Sequence, residues 1–118
     1  MPKFSSQSWS KLQQCDNALI VLFRKVIQYR DCFILDSFRD EKEQNRLYNL
    51  GFSKCKWPYS KHNTQPVVKA VDVAPYFHNR LPKRRVSFNR FEVVEFGHYC
   101  LGIRDYVGLK EIIRWGGD

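Results

Sequence analysis

Apolar residues recur at helix spacing from Leu12 through Cys15, Leu19, Leu22, Phe23, Val26 and Ile27, which predicts a helix with one buried face. Ser10 and Gln13 stand just ahead of most of that run in the order S-x-x-Q, the form of a capping box. The pattern then changes. In "DCFILDSF", Cys32 to Leu35 form a short apolar run of strand length. Asp40–Asn49 reads as a second helix, with acids in its first turn and Gly51 just past its end. Lys54–Gln65 is a polar and aromatic loop containing Pro58, and Val67–Ala74 is rich in strand formers and stops at Pro75. Ser87 is placed to cap a long helix from about Phe88 to Tyr106, with Phe91, Val94, Phe96, Tyr99, Cys100 and Ile103 on its apolar stripe. Gly108 should end that helix, and "EIIRW" predicts a last strand at Glu111–Trp115. There are no internal repeats. The expected architecture is a single α+β domain over residues 1–118, a small, mostly antiparallel sheet with helices packed on it.

Composition narrows the classes. With 43% hydrophobic and 27% charged residues, the chain is a folded globular protein rather than a disordered one. No apolar run approaches the length that spans a bilayer, and the N-terminus lacks the apolar core of a secretory signal. Synthesis in a cytoplasm is therefore expected, without membrane insertion. Cys15, Cys32, Cys55 and Cys100 form no C-x-x-C pair, so they are expected to be reduced, mostly buried side chains, with Cys55 the most exposed. The net charge is +8, with one basic concentration at Arg80, Lys83, Arg84, Arg85 and Arg90. Such a balance favours anionic partners, either nucleic acid or a phosphate- and carboxylate-bearing cell envelope.

One stretch carries candidate chemistry. In "SKHNTQPVVKAVDVAPY", His62 sits in a polar loop and Asp72 interrupts an apolar strand between Val71 and Val73. Alternation along a strand turns Asp72 to the face opposite its two valines, toward a cleft, a polar contact or solvent. A histidine and a carboxylate fixed on rigid elements can ligate zinc. The spacing alone also suits a salt-bridged aspartate and an ordinary loop histidine.

The surrounding text adds to this. "SKH" followed by "AVDVAPY" resembles the zinc-binding segment of the VanY-like D-alanyl-D-alanine carboxypeptidase and L-alanyl-D-glutamate endopeptidase family, and small phage endolysins are the members most similar to it. Upstream, "ILDSFRDEKEQNRLYNLGFSKCKWPYSKHN" is similar to the family's strand, arginine, glutamine-bearing helix, Gly-x-Ser and Ser-x-His in that order. Downstream, "RFEVVEFGHYCLGIRDYVGLKEIIRWGGD" is similar to its long helix and to the strand ending in Arg-Trp-Gly-Gly-Asp. The resemblance implies a hedgehog and D-Ala-D-Ala peptidase-like fold with a zinc cleft at the sheet. It implies that His62 and Asp72 are zinc ligands and that Arg39 steadies substrate or an oxyanion. Gln44, Ser60 and Trp115 match positions that support or line the cleft. The implied activity is hydrolysis of a peptide bond in the peptidoglycan stem, with the L-Ala–D-Glu bond favoured over D-Ala–D-Ala. The implied place of action is the cell wall or periplasm.

Three departures qualify the match. Nine residues separate His62 from Asp72, more than in most relatives, and the basic segment after the Asp72 strand is richer in charge than the family pattern. The family's final acid-x-x-His motif, which supplies the third zinc ligand and the general base, is not among the 118 residues. Two expectations follow: a domain truncated at its C-terminus, which the stop directly after "RWGGD" favours, or a naturally short relative that keeps the fold and has lost catalysis. In either case the sheet would keep an unpaired edge through which an otherwise monomeric chain could self-associate. His78 and His98 are the remaining histidines, and His98 reads as a partly buried helix residue. Two other functions compete: a non-catalytic cell-wall binder on the same fold, and a basic nucleic-acid-binding module. The last is the least favoured, because no nucleic-acid-binding signature is present.

Overall fold

The computed structural model describes residues 2–76 and 90–115. Within them the chain is α+β: helices α1 (Ser6–Gln13), α2 (Asn17–Tyr29), α3 (Glu41–Asn49) and α4 (Arg90–Tyr106) surround a two-stranded antiparallel sheet of β1 (Cys32–Asp36) and β2 (Asp72–Pro75). A short 3-10 turn spans Lys61–Asn63. The expected cap at Ser87, the helix start at Phe88, His78, most of the basic 80–90 segment and Gly116–Asp118 lie outside the described residues. No described helix is long and apolar enough to cross a membrane.

The single N-terminal helix expected from the apolar spacing is two helices. Ser5, not Ser10, caps α1 by accepting from Ser8 N–H, and Asp16 caps α2 by accepting from Ala18 N–H. The break has a tertiary cause. Val68, fully buried, donates its N–H to Gln14 O at 2.9 Å and accepts from Asp16 N–H at 2.8 Å. Those two groups would otherwise belong to a continuous helix ladder. Helix spacing survives the break: Leu12, Cys15, Leu22, Phe23, Val26 and Ile27 all enter the core, beside Cys32, Ile34, Phe96, Cys100 and Ile113.

The second helix forms where expected. The Asp40 side chain accepts from Glu43 N–H, Glu41 and Glu43 occupy the positive end, and Gly51 takes the left-handed conformation at φ 82° just past the end. The strand expected over Val67–Ala74 is shorter. It is regular only from Asp72 to Pro75, and Val68 contributes an isolated bridge to Cys15.

The last strand expected at Glu111–Trp115 is not formed. Gly108 ends the α4 segment in the left-handed conformation, and Leu109 O then accepts from both Ile112 and Ile113 N–H, curling the apolar run into a turn. Only Ile113 of that run is buried. Trp115 packs on α4, edge-on to His98 with ring centroids 5.8 Å apart. A Cβ at Gly97 would stand 3.0 Å from the Trp115 ring, so the glycine is what lets the indole lie that close. His98 is exposed rather than partly buried.

The outer side of β1 is covered by α1. Ile34 N–H donates to the buried Ser8 Oγ at 3.0 Å, and Lys11 Nζ donates to Leu35 O at 3.0 Å. Two backbone groups of β1 are thus met by side chains of α1.

The thiols follow burial. Desolvation, with the charge of Asp16 adding to it, pushes Cys15 up to about 11. Burial pushes Cys100 up to about 12, against the pull of Arg30, and pushes Cys32 higher still. Only the thiolate reacts with alkylating reagents. At pH 8 one thiol per chain, Cys55, should therefore be modified in the native protein and all four in denaturant. Release of a second thiol under native conditions would contradict this packing. The linkage has one sign: the folded chain keeps protons that unfolded thiols lose above about pH 9, so this contribution to stability is full below that pH and declines as pH rises.

Candidate metal-binding site

The site forms where the end of β1 meets the start of β2. Ile34 pairs with Val73, but an irregularity in the register then sets Asp36 opposite Asp72. Two carboxylates facing each other across strands repel. Arg39 stands between them, with Nε 3.3 Å from Asp36 Oδ2 and Nη2 2.5 Å from Asp72 Oδ2. Its side chain is only 6% exposed, whereas each carboxylate is about 30% exposed. Arg39, expected to reach toward substrate, here has its guanidinium engaged by the two strand-end aspartates.

Asp72 follows the strand alternation. Val71 and Val73 pack against the core, while the Asp72 carboxylate faces Arg39 and His62. His62 is buried, and its Nδ1 lies 2.8 Å from Ser37 O. A carbonyl only accepts, so Nδ1 carries the proton and Nε2 is left toward Asp72 Oδ1, 3.5 Å away. This is how a metal-ligating histidine is usually oriented, with its second nitrogen on a carbonyl or carboxylate.

The donor set fits zinc as a partial site. Ligands at about 2.0–2.1 Å around a tetrahedral ion stand roughly 3.3 Å from one another, close to the 3.5 Å observed between Nε2 and Oδ1. Imidazole nitrogen and carboxylate oxygen are both ordinary zinc donors. Among the described residues, no group of three or more His, Cys, Asp or Glu comes together, so these two donors stand without a third.

The remaining expected residues have supporting places. Gln44 is fully buried on α3. Its amide donates to Ser53 Oγ at 2.9 Å and to Cys55 O at 2.6 Å, and it accepts from Asn63 Nδ2 at 3.2 Å. It thus holds the loop that carries His62 from beneath and offers no atom to a ligand. Asn63 Nδ2 also donates to Arg39 O, and Arg39 N–H donates to His62 O. Ser60 caps the 3-10 turn: its hydroxyl accepts from His62 N–H, and Asn63 Oδ1 accepts from Ser60 N–H. Trp115, expected to line the cleft, has its described ring contacts on α4 at Gly97 and His98. The groove of about 550 Å³ between α1 and β1, lined in part by Lys3, Lys11 and Tyr76, contains none of these side chains.

Sequence reasoning did not single out Asp36, Ser37 or Asn63. Asp36 had one visible signal, a carboxylate closing an apolar strand three residues before an arginine. Ser37 acts through its carbonyl, which no side-chain pattern reports. Compared with known proteins, the chain matches no family model, no curated protein and no solved structure.

Proposed function

We propose that this chain carries part of the zinc site of an endolysin-type peptidase that cuts peptidoglycan stem peptides. One observation carries the reading: His62 Nε2 and Asp72 Oδ1 meet at zinc-ligand separation, with the imidazole oriented by Ser37 O. These are the two residues that the family resemblance implies as ligands. Zinc, when bound, supplies a Lewis acid and a water acidified to near neutrality. His62 and Asp72 would hold it, and a third ligand and a general base must come from outside the described residues. Arg39 holds the Asp72 carboxylate through Oδ2, and the ring of His62 is fixed by Ser37. The +8 charge suits a substrate bearing several carboxylates. The L-Ala–D-Glu bond is the favoured target over D-Ala–D-Ala, and analysis of the released products discriminates the two. A second reading, a cell-wall binder without catalysis, is favoured by the pair of donors where a catalytic site uses three.

Zinc binding tests the proposal. The purified chain, stripped with chelator and titrated with zinc, should bind about one ion, more weakly than a three-ligand catalytic site does. Both His62→Ala and Asp72→Ala should lose it. Retention of zinc by both variants, or none in the parent chain, would sink the metal reading. With zinc bound, release of new amino groups from peptidoglycan marks the peptidase, and binding without release marks the wall binder.

A further inference from the structure

The groove between α1 and β1, at about 550 Å³, is within the size range of ligand-binding clefts. Its two sides differ in character. Gln7 and Lys11 stand one helical turn apart, so both lie on one side of α1, and Lys3 lines the groove ahead of the helix. The strands contribute Phe33, Leu35 and Tyr76, each half-buried. Lys11 is held in place. Its Nζ donates to Leu35 O at 3.0 Å, which uses one of the three donors of an ammonium.

Strand pairing relates this groove to the His62 site. Cys32, Ile34 and Val73 turn to the core. Alternation turns Phe33 to the other face, together with its cross-strand partner Ala74 and with Asp72, two residues before Ala74. Leu35 is the last strand residue to line the groove, and it directly precedes Asp36, which is set opposite Asp72. Groove and candidate metal site therefore belong to one face of the sheet.

We propose that this groove seats the substrate as an extended, carboxylate-bearing peptide, with acids on Lys3 and Lys11 and apolar side chains on Phe33 and Leu35. The inference rests on the function proposed above and assigns the surface that reads the peptide. Charge selects the occupant. The two lysines are joined in the lining by one acid, Asp31, which already has partners of its own. A polymer with a negative charge on every unit would meet the aspartate as well as the lysines. A peptide whose acids are spaced among small apolar residues meets ammonium groups with an apolar surface between them, which is the complementary arrangement. The tie to Leu35 O also favours Lys11 as a contact, because an ammonium already positioned loses less freedom on binding than a free one.

The test uses the full chain in chelator, so that no metal contributes, and a synthetic stem tetrapeptide with its carboxylates either free or amidated. Calorimetry should show the free acid binding roughly fivefold tighter or better, the upper end of one exposed ion pair. That difference should shrink as salt is raised. Amide resonances of Gln7, Phe33 and Leu35 should shift on titration. Lys11→Gln should weaken binding of the acid roughly fivefold and leave the amidated peptide unaffected, a split that a general loosening of the fold would not produce. Should that variant fail to fold, the two peptide forms on the parent chain decide alone. Equal affinity for both forms, equal loss of both in Lys11→Gln, or shifts confined to residues 60–72 would overturn the inference. The two readings fail separately. Acid-dependent binding in the groove with no bond cleaved by the zinc-loaded chain keeps the groove and rejects the peptidase; cleavage with KM unmoved in Lys11→Gln does the reverse.

Discussion

Arg39→Ala should lower the stability of the chain by about 3 kcal/mol, the lower end of what breaking a buried ion pair costs. The lower end applies because Asp36 and Asp72 are each about 30% exposed, so water screens part of what the arginine neutralises. In a chain of this size that is a fall of roughly 10 °C in melting temperature. The cause is the strand register. With the guanidinium gone, two carboxylates remain opposite each other at the bulge. Arg39→Lys should recover only part of the loss, since an ammonium cannot reach both aspartates as a fork. Asp36→Asn placed in the Arg39→Ala chain should restore stability, because it removes the repulsion. A melting temperature for Arg39→Ala within a degree or two of the parent would show that the arginine does not hold the strand ends together.

Gln44→Leu should cost a similar amount, roughly 2–4 kcal/mol, although it preserves most of the buried volume. The loss is polar. Cys55 O, Ser53 Oγ and Asn63 Nδ2 each lose a partner in the interior. The effect should be local before it is global: amide exchange should accelerate first across residues 53–63, and modification of Cys55 should quicken with it. Native stability in Gln44→Leu with impaired substrate binding would instead place the glutamine at the ligand, as the family resemblance had it.

The two variants bear on how much of this molecule was legible in the sequence. The second helix was plain, because its cap, its acidic first turn and its closing glycine are local signals. So were β1 and the body of α4. The division between α1 and α2 was not, because it depends on Val68 from far along the chain taking the backbone groups of Gln14 and Asp16. The last strand failed for a related reason. "EIIRW" has strand composition, but the conformation at Gly108 and the bonds to Leu109 O bend it before it can extend. Of the site, strand alternation foretold which way Asp72 would face. Its meeting with His62 rested on the family resemblance, since nine intervening residues fix no distance. The Asp36–Arg39–Asp72 crossing was invisible, because it follows from a register irregularity and not from any spacing along the chain.

The way α1 lies against β1 has a consequence for how this chain meets other copies of itself. A sheet grows when an incoming strand finds free amides and carbonyls along its border. Here the Ile34 amide and the Leu35 carbonyl are already matched by a serine hydroxyl and a lysine from the first helix. An incoming strand would have to break both bonds, and lifting the helix itself would expose Leu12, which is completely buried. Helix α1 thus occupies two of the positions that a strand of a second copy would need, and loosening it should make the chain more prone to associate.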